Sequence, residues 1–493
     1  MLDMLLGEWL MGIDTSVYCS TGTSRESQSA SRIPLVTDLD DTLITTDSLY
    51  EGFLNTVRSH PLKLANIFAW LRQGRQIVKK GLMDTREHVA TYPINEAVLN
   101  ILREAATQGR EIWLATASPL PVAQAVAERL GFFKDVLSSS DELNLKGSAK
   151  AQALVERFGK NGFDYIGDSA ADIPIWAQAR KAYVYGSSQL YDKVLAVNTE
   201  AIHIPRTAET KAALRELRIW QWVKNLLVFL PLFLAHDFSL SAFGNSAVAF
   251  IALSLCASAG YVINDMADLT NDRAHPVKCK RPLASGALSL KYGMLLILGC
   301  LCGVIGVGCY LGLSVGGLLA CYFIGTLTYS FIFKKLLILD AIILAWLYDM
   351  RLVVGAAAIG VSISNWLLSF LLLFFFGLAL MKRSGDLKME GERMAGRAYL
   401  MPDKAVLEMM QTASGFSAIT ILCIYINSVS AQTLYSQPDW LWGSAPAILW
   451  WYCCLIIKAA RGEVRGDPLL FSLKYPLTWI AGGIIALCFI LAL

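Results

Sequence analysis

From about residue 217 to its end the chain is a succession of apolar stretches, at 217–234, 245–263, 292–311, 315–333, 336–359, 366–381, 407–426, 446–457 and 477–493. A helix needs about 20 apolar residues to cross the hydrocarbon of a bilayer, and a backbone in lipid must satisfy its own hydrogen bonds. These stretches therefore predict an all-α membrane bundle of about nine spans, some of them short. Before residue 217, charged and apolar residues mix as in a globular domain, over a length sufficient for an independent core. The whole-chain values, 55% hydrophobic residues, mean hydropathy +0.47 and net charge +3, average two unlike halves. They exclude both an ordinary soluble enzyme and a wholly embedded one, and give no sign of a nucleic-acid partner. The expected fold class is two-domain, an α/β unit followed by a membrane bundle.

The loops between the apolar stretches alternate in charge. One set carries Arg273, Lys278, Lys280, Arg281 and Lys291, then Lys334 and Lys335, then Lys382, Arg383, Lys388, Arg393, Arg397 and Lys404, then Lys458, Arg461 and Arg465. The intervening set, 236–243, 312–314, 360–365 and 427–444, holds no Lys or Arg. By the positive-inside rule the basic loops face the cytoplasm, and an odd number of spans leaves the C-terminus outside. The first 32 residues carry Asp3 and Glu8 in place of a basic start and are rich in Ser and Thr over 21–31, which reads as a disordered leader and not as a signal peptide. The expected location is the inner (cytoplasmic) membrane, with the globular part in the cytoplasm. Eleven cysteines show no paired spacing, and most lie in apolar runs, so they read as small hydrophobes and not as disulfides or a zinc site.

At the cytoplasmic end of the second apolar stretch stand Asn264, Asp265, Asp268, Asp272, Arg273, His275, Pro276, Lys278, Arg281 and Pro282. Asp265, Asp268 and Asp272 are spaced i, i+3, i+7, so on one helix they project from roughly one side together with the Asn264 amide. Hard oxygen ligands so placed suit Mg²⁺, whose coordination is usually completed by water and substrate phosphate oxygens. A solvated helix end of mixed charge is the plainer reading. It loses ground here because the acids abut a membrane span and bases follow at once.

A second polar cluster, Lys382, Arg383, Asp386, Lys388, Glu390 and Glu392, closes the sixth stretch on the same side, with Asp386 and Glu390 at i, i+4 as a further metal-facing pair. Snorkelling at the interface would account for its bases equally well. Arg218, Gln221, Trp222, Lys224 and Asn225 open the first stretch, where interfacial anchoring and substrate binding both fit. Asp340 and Asp349 lie in an otherwise apolar stretch and are functional candidates because a buried charge is costly; Arg351 is a candidate partner.

The soluble half offers three apolar strands that each end in polar residues. They are 33–37 followed by Asp38 and Asp40; 111–115 followed by Thr116 and Ser118; and 163–167 followed by Asp168 and Asp172. Strand ends of this kind are where open parallel sheets place ligands. Lys146 and Gly147 stand between the second and third. Singly, each is more often a turn.

Together and in this order they resemble the haloacid-dehalogenase superfamily of phosphatases over residues 33–205, with a Rossmann-like fold. The resemblance implies Asp38 as nucleophile and Asp40 as acid and then base. It gives Thr116 and Lys146 as phosphoryl-binding groups, and a Mg²⁺ site drawn from Asp38, Asp40, Asp168 and Asp172. Residues 49–81, with Ile67, Phe68, Trp70, Arg72, Arg75, Lys79 and Lys80, occupy the place of that family's cap. A short linker is expected at 206–214.

Over 215–493 the acid-rich block is similar to the first motif of the UbiA-type prenyltransferase superfamily. Gln221 to Asn225 and Lys382 to Asp386 look most like its decaprenyl-phosphate phosphoribosyltransferase branch, whose second motif has Glu where this chain has Asp386. That branch, the resemblance implies, joins 5-phosphoribosyl diphosphate (PRPP) to a polyprenyl phosphate. Metal at Asn264, Asp265, Asp268, Asp272 and Asp386 would stabilise charge on the departing diphosphate. Lys224, Arg273, Lys278, Arg281, Lys382 and Arg383 would hold the phosphate-bearing substrates.

The expected function is thus a bifunctional membrane enzyme that makes polyprenyl-phosphoryl 5-phosphoribose and then removes the 5-phosphate. Two alternatives stay open: an aromatic prenyltransferase using an isoprenyl diphosphate, and a lipid-phosphate transporter with a regulatory domain, though a transporter would want its polar groups nearer the bilayer midplane. A homo-oligomer is also left open.

Overall fold

The computed structural model describes residues 33–59, 81–82, 86–139, 145–206, 209–390, 396–464 and 466–493. The chain divides into two compact units, Met1–Thr207 and Ala208–Leu493. The leader, most of the region expected to form a cap, and Glu392, Arg393 and Arg465 lie outside the described residues.

The first unit is built on six parallel strands, β1 (Leu35–Thr37), β2 (Ile112–Pro119), β3 (Phe133–Ser139), β4 (Asp164–Gly167), β5 (Ala182–Gly186) and β6 (Ala201–Pro205), in the order β3-β2-β1-β4-β5-β6. Period-two alternation sends successive side chains to opposite faces. Leu35, Ile112 and Leu114 enter a core with Leu39, Val98, Leu102 and Val126. Val36, Trp113 and Ala115 enter a second one with Leu154, Tyr165, Trp176 and Val184. Both faces are covered, as a parallel sheet requires.

The helices of this unit include α1 (Ser48–Ser59), α2 (Glu96–Thr107), α3 (Leu120–Leu130), α4 (Ser148–Phe158) and α5 (Ser188–Leu195). The Asn95 side chain caps α2 by accepting from Ala97 N, and α3 ends at Gly131, which takes the left-handed conformation of a C-terminal cap. The sheet order makes β1 the point of divergence. Its two neighbours, β2 and β4, are reached by connections running in opposite directions, which opens a crevice above the carboxyl ends of the three strands.

The second unit is helical: α6 (Glu209–Glu216), α7 (Ile219–Leu234), α8 (Leu240–Ala267), α9 (Leu269–Ala274), α10 (Leu290–Leu311), α11 (Leu313–Phe331), α12 (Leu339–Ile359), α13 (Asn365–Glu390), α14 (Lys404–Ile426), α15 (Ser444–Ala460), α16 (Pro468–Lys474) and α17 (Pro476–Ala492). Seven helices among the described residues are long and apolar enough to cross a membrane. The count is nine if the bent pairs α6–α7 and α16–α17 are each taken as one span. All nine expected apolar stretches fall on these helices. The linker expected at 206–214 is mostly helix, because α6 begins at Glu209 and runs to a break at Arg218, which adopts a left-handed conformation (φ 50°).

The most enclosed spans are α8 and α12, whereas α10 buries few of its residues completely. Close approach of α7 to α12 depends on Gly355, where a Cβ would stand 2.2 Å from the Val228 carbonyl oxygen. The ten described cysteines are all free.

Candidate active sites

In the first unit, Asp38 directly follows β1, and its backbone N–H donates to the Ile166 carbonyl of β4 at 2.9 Å, which fixes the carboxylate at the crevice. The Leu39 N–H donates to Asp38 Oδ1 at 2.8 Å, and Lys150 Nζ lies 2.9 Å from Oδ2. Carboxylate oxygens of Asp38, Asp168 and Asp172 all lie within 4.8 Å of one another. Thr42 Oγ1 donates to Asp168 Oδ1 at 3.1 Å, while Ser169 N–H and Oγ donate to Asp172 Oδ2 at 3.2 and 3.1 Å.

Burial, reinforced by the negative charge of Asp38, holds the Asp168 carboxyl well above the usual carboxylate range. Asp172 is raised by the same two causes, with Lys150 and the Ser169 hydrogen bonds opposing. Three crowded carboxylates with one lysine among them form a surplus of negative charge made of hard oxygen donors. That donor set fits a magnesium-type cation.

Asp40 stands apart from the metal-facing group. Its Oδ1 accepts from Ser48 N at 2.8 Å and its Oδ2 from Ser118 Oγ, which is also 2.8 Å from Ser48 Oγ. Both oxygens of the Asp40 side chain are thus engaged by Ser48 and Ser118, and the carboxylate does not join the group formed by Asp38, Asp168 and Asp172. Thr116 is fully buried at the end of β2 and accepts from Ser118 N at 3.0 Å.

The lysine beside Asp38 is Lys150 and not the expected Lys146. Lys146 is exposed before α4 begins, whereas Lys150, four residues on, is buried and also donates to Tyr165 OH at 3.1 Å. Lys150→Ala is accordingly expected to lower phosphatase kcat/KM by about 10²-fold or more, the order of a lost charged contact to a developing phosphoryl charge. Lys146→Ala should change it by less than threefold, and steady-state phosphate release on both variants checks the pair.

In the second unit the acid-rich block is not one continuous helix. The first segment, α8, stops at Ala267, Asp268 is the junction, and α9 resumes at Leu269. Asp265 and Asp272 share one base, whereas Asp268 takes another. Asp265 is paired through Oδ2 with Arg218 and through Oδ1 with Arg281 at 2.9 Å; Arg281 also holds Asp272 at 2.6 Å; Asp268 takes Lys334 at 3.1 Å. Asp265 and Asp272 are buried, Asn264 is half-buried and Lys278 exposed, and Arg273 Nε donates to the Ala284 carbonyl at 3.3 Å.

Lys224 and Lys382 converge on Asp467, at 2.6 and 3.9 Å, where Asp467 caps α16 by accepting from Leu469 N. Other expected groups sit in packed interior. Arg383 is fully buried and donates to Asp340 at 2.6 Å and Tyr329 OH at 3.1 Å, and it bridges to Asp386 at 3.3 Å. Asp340 also receives Arg397 at 2.8 Å and the Tyr399 hydroxyl. Asp386 is thus held by an arginine, and neither it nor the base-paired acids Asp265, Asp268 and Asp272 form a close metal-facing carboxylate group, which among the described residues is found at Asp38, Asp168 and Asp172.

Arg351 pairs with neither Asp340 nor Asp349; it donates to Asn225 Oδ1 at 2.8 Å, Tyr322 OH at 2.9 Å and the Leu347 carbonyl. Asp349 is buried with Oδ1 lacking a partner. Residues not singled out from the sequence include Lys150, Glu216 and Asp467. The second lysine of the 146–150 stretch was the available signal for the first. For Asp467 it was an acid placed just before Pro468 at a helix start.

A parallel sheet with carboxylates gathered above its switch point, followed by a membrane bundle with acids and bases interleaved at one helix end, defines a hydrolase-type domain joined to a membrane transferase. The chain belongs to the UbiA prenyltransferase family, which it matches over residues 225–490, and it matches haloacid dehalogenase-like hydrolases over 35–176. It is 35% identical over 474 residues to the protein y4nM of Sinorhizobium fredii, covering 94% of this chain and 91% of that one. Nodulation protein NoeC of Azorhizobium caulinodans is 28% identical over 261 residues, 51% of this chain and 83% of NoeC. Decaprenyl-phosphate phosphoribosyltransferase of Corynebacterium glutamicum is 33% identical over 169 residues, 33% of this chain and half the length of that enzyme.

Proposed function

We propose that the membrane unit transfers 5-phosphoribose from PRPP to a polyprenyl phosphate and that the soluble unit removes the 5-phosphate from the product. The carrying observation is the distribution of charge at the membrane site. Acids at Asp265, Asp268 and Asp272 are interleaved with Arg218, Arg281 and Lys334, while two lysines share the single carboxylate of Asp467. Lys224 and Lys382 leave one positive charge over beside Asp467. A phosphate nucleophile needs such a charge and an aromatic acceptor does not.

The carboxylates of Asp265, Asp268 and Asp272 would hold Mg²⁺, which when bound supplies charge neutralisation for the diphosphate. Arg281, now shared by Asp265 and Asp272, is the base best placed to bind diphosphate oxygens once the acids are otherwise occupied. A phosphate oxygen of the lipid forms a bond to ribose C1 as the bond from C1 to the diphosphate oxygen breaks, and the electron pair leaves with diphosphate. No proton need be removed from an ionised phosphate, so the site requires no general base.

In the soluble unit, Asp38 attacks the 5-phosphate and Asp40 gives its proton to the departing ribose oxygen. Asp40 then takes a proton from the water that hydrolyses the aspartyl-phosphate. Lys150 neutralises phosphoryl charge at Asp38, and Asp38, Asp168 and Asp172 would hold the cation.

The test supplies purified enzyme and Mg²⁺ with PRPP labelled in the ribose and a polyprenyl phosphate. Label is expected in the lipid fraction, and none with an isoprenyl diphosphate and an aromatic acceptor. Transfer only in the second assay overturns the assignment. The distribution of basic loops supports a cytoplasmic site in an inner membrane. Cysteine introduced at Ala287, in a background free of native cysteines, should react with an impermeant maleimide only from the cytoplasmic side, and cysteine at Ser436 only from outside. The reverse pattern would refute the orientation.

A further inference from the structure

We infer that Glu216, the last residue of α6, is a further carboxylate of the divalent-cation site at Asp265. The inference rests on reading that site as a metal and diphosphate site. Glu216 is only 1% exposed, and both of its carboxylate oxygens are enclosed without a hydrogen-bond partner. The carboxylate faces that of Asp265, and Arg218 and Arg281 are the neighbouring cations. Both guanidiniums are committed elsewhere, Arg218 to Asp265 and Arg281 to Asp265 and Asp272. Three carboxylates therefore face two guanidiniums, and the unmatched charge sits on the one residue with no donor.

Its position is fixed and not incidental. The left-handed residue Arg218 turns the chain between α6 and α7, and Ser258 Oγ of α8 donates to the Leu217 carbonyl at 2.8 Å while accepting from Trp222 Nε1 at 3.0 Å. This clasp pins the turn to α8 one helical stretch before Asp265, so that Glu216 and Arg218 both reach the same acid. A buried carboxylate with no partner is strongly unfavourable, and breaking or omitting one partner of a buried charge is what destabilises such sites. Carboxylate oxygens are the donor chemistry of a hard divalent cation, and those of Glu216 carry no donor while Asp265 and Asp272 are held by the two arginines. Nothing in the acid-rich block points to residue 216, which lies 49 positions before Asp265 in the sequence.

The experiment uses the full chain in detergent micelles, carrying Asp38→Asn and Asp168→Asn to silence the soluble unit's own metal site. Mn²⁺ binding is read by the loss of the free-ion electron paramagnetic resonance signal. Asp265→Ala is expected to remove the remaining site, and Glu216→Gln to weaken it at least tenfold, with Glu216→Asp retaining most of the affinity. Without metal, Glu216→Gln should melt no lower than its parent, because it removes an unpaired buried charge, and should gain less in melting temperature on adding Mn²⁺. Undiminished Mn²⁺ affinity in Glu216→Gln, with Asp265→Ala deficient, overturns the inference and leaves a proton shared between Glu216 and Asp265 as the account. If Asp265→Ala binds Mn²⁺ as its parent does, the reading of the site itself fails, and the Glu216 assignment falls with it.

Discussion

Asp38→Asn is expected to lower phosphatase turnover at least about 10³-fold, as loss of an attacking group does in enzymes that form a covalent intermediate. The amide keeps the size of the side chain and can still accept from Leu39 N–H, so the crevice above β1 should persist. It removes the charge that Lys150 pairs with and the oxygen that attacks phosphorus. Transfer by the membrane unit should be unaffected, since none of its groups is altered. With PRPP and polyprenyl phosphate supplied and no other phosphatase present, the lipid product should then accumulate with its 5-phosphate retained. Mass spectrometry of the lipid fraction reads the ratio directly. An unchanged ratio of phosphorylated to dephosphorylated lipid would mean that the soluble unit acts on some other phosphate ester.

The soluble site was largely legible because its residues sit where one pattern stops and another begins. Asp38, Thr116 and Asp168 each terminate or follow an apolar strand, and a strand end in an alternating strand and helix pattern has few places to go other than the crevice at the switch point. The pattern failed at the phosphate lysine. Lys146 and Lys150 differ by one helical turn, and which of them points inward depends on where α4 starts, a matter of one or two residues that propensity does not resolve. Once the helix starts at Ser148, Lys150 is directed at Asp38 while Lys146 remains before the first turn.

In the membrane unit, hydropathy located the seven long apolar helices found among the described residues, and the charged loops located the acids. Charge pairing was not legible, because it depends on contacts between distant helices. Asp268 reaches Lys334, Lys224 reaches Asp467 and Arg383 reaches Asp340, each across a long stretch of sequence. The spacing i, i+3, i+7 describes a continuous helix, whereas a break falls at Asp268, which pairs with Lys334 while Asp265 and Asp272 share Arg281. Arg383 shows the opposite risk. A conspicuous basic residue in a loop-like motif turns out to neutralise the intramembrane Asp340 in packed interior, where Tyr329 and Tyr399 complete the network.

Asp265→Ala is expected to reduce transfer of ribose phosphate to lipid by at least about 10³-fold, the scale seen when a group essential to transition-state charge stabilisation is lost. Asp265 is the most connected acid of the block. Arg218 on one oxygen and Arg281 on the other make it the anchor from which Arg281 also reaches Asp272, so its removal frees Arg218 and leaves Arg281 to Asp272 alone. Losing this carboxylate strips a candidate metal donor and leaves the Arg218 guanidinium without its ion-pair partner. PRPP binding should therefore persist, or even tighten, while the chemical step fails, so kcat falls far more than KM rises. Asp268→Ala should cost less, since Asp268 is the most exposed of the three and pairs only with Lys334. Hydrolysis of supplied polyprenyl-phosphoryl 5-phosphoribose by Asp265→Ala should match that of the unaltered chain, which also shows that the soluble unit of the variant is folded. Loss of both activities together would point to a collapsed bundle, and transfer within about tenfold of the unaltered chain would remove Asp265 from the catalytic centre.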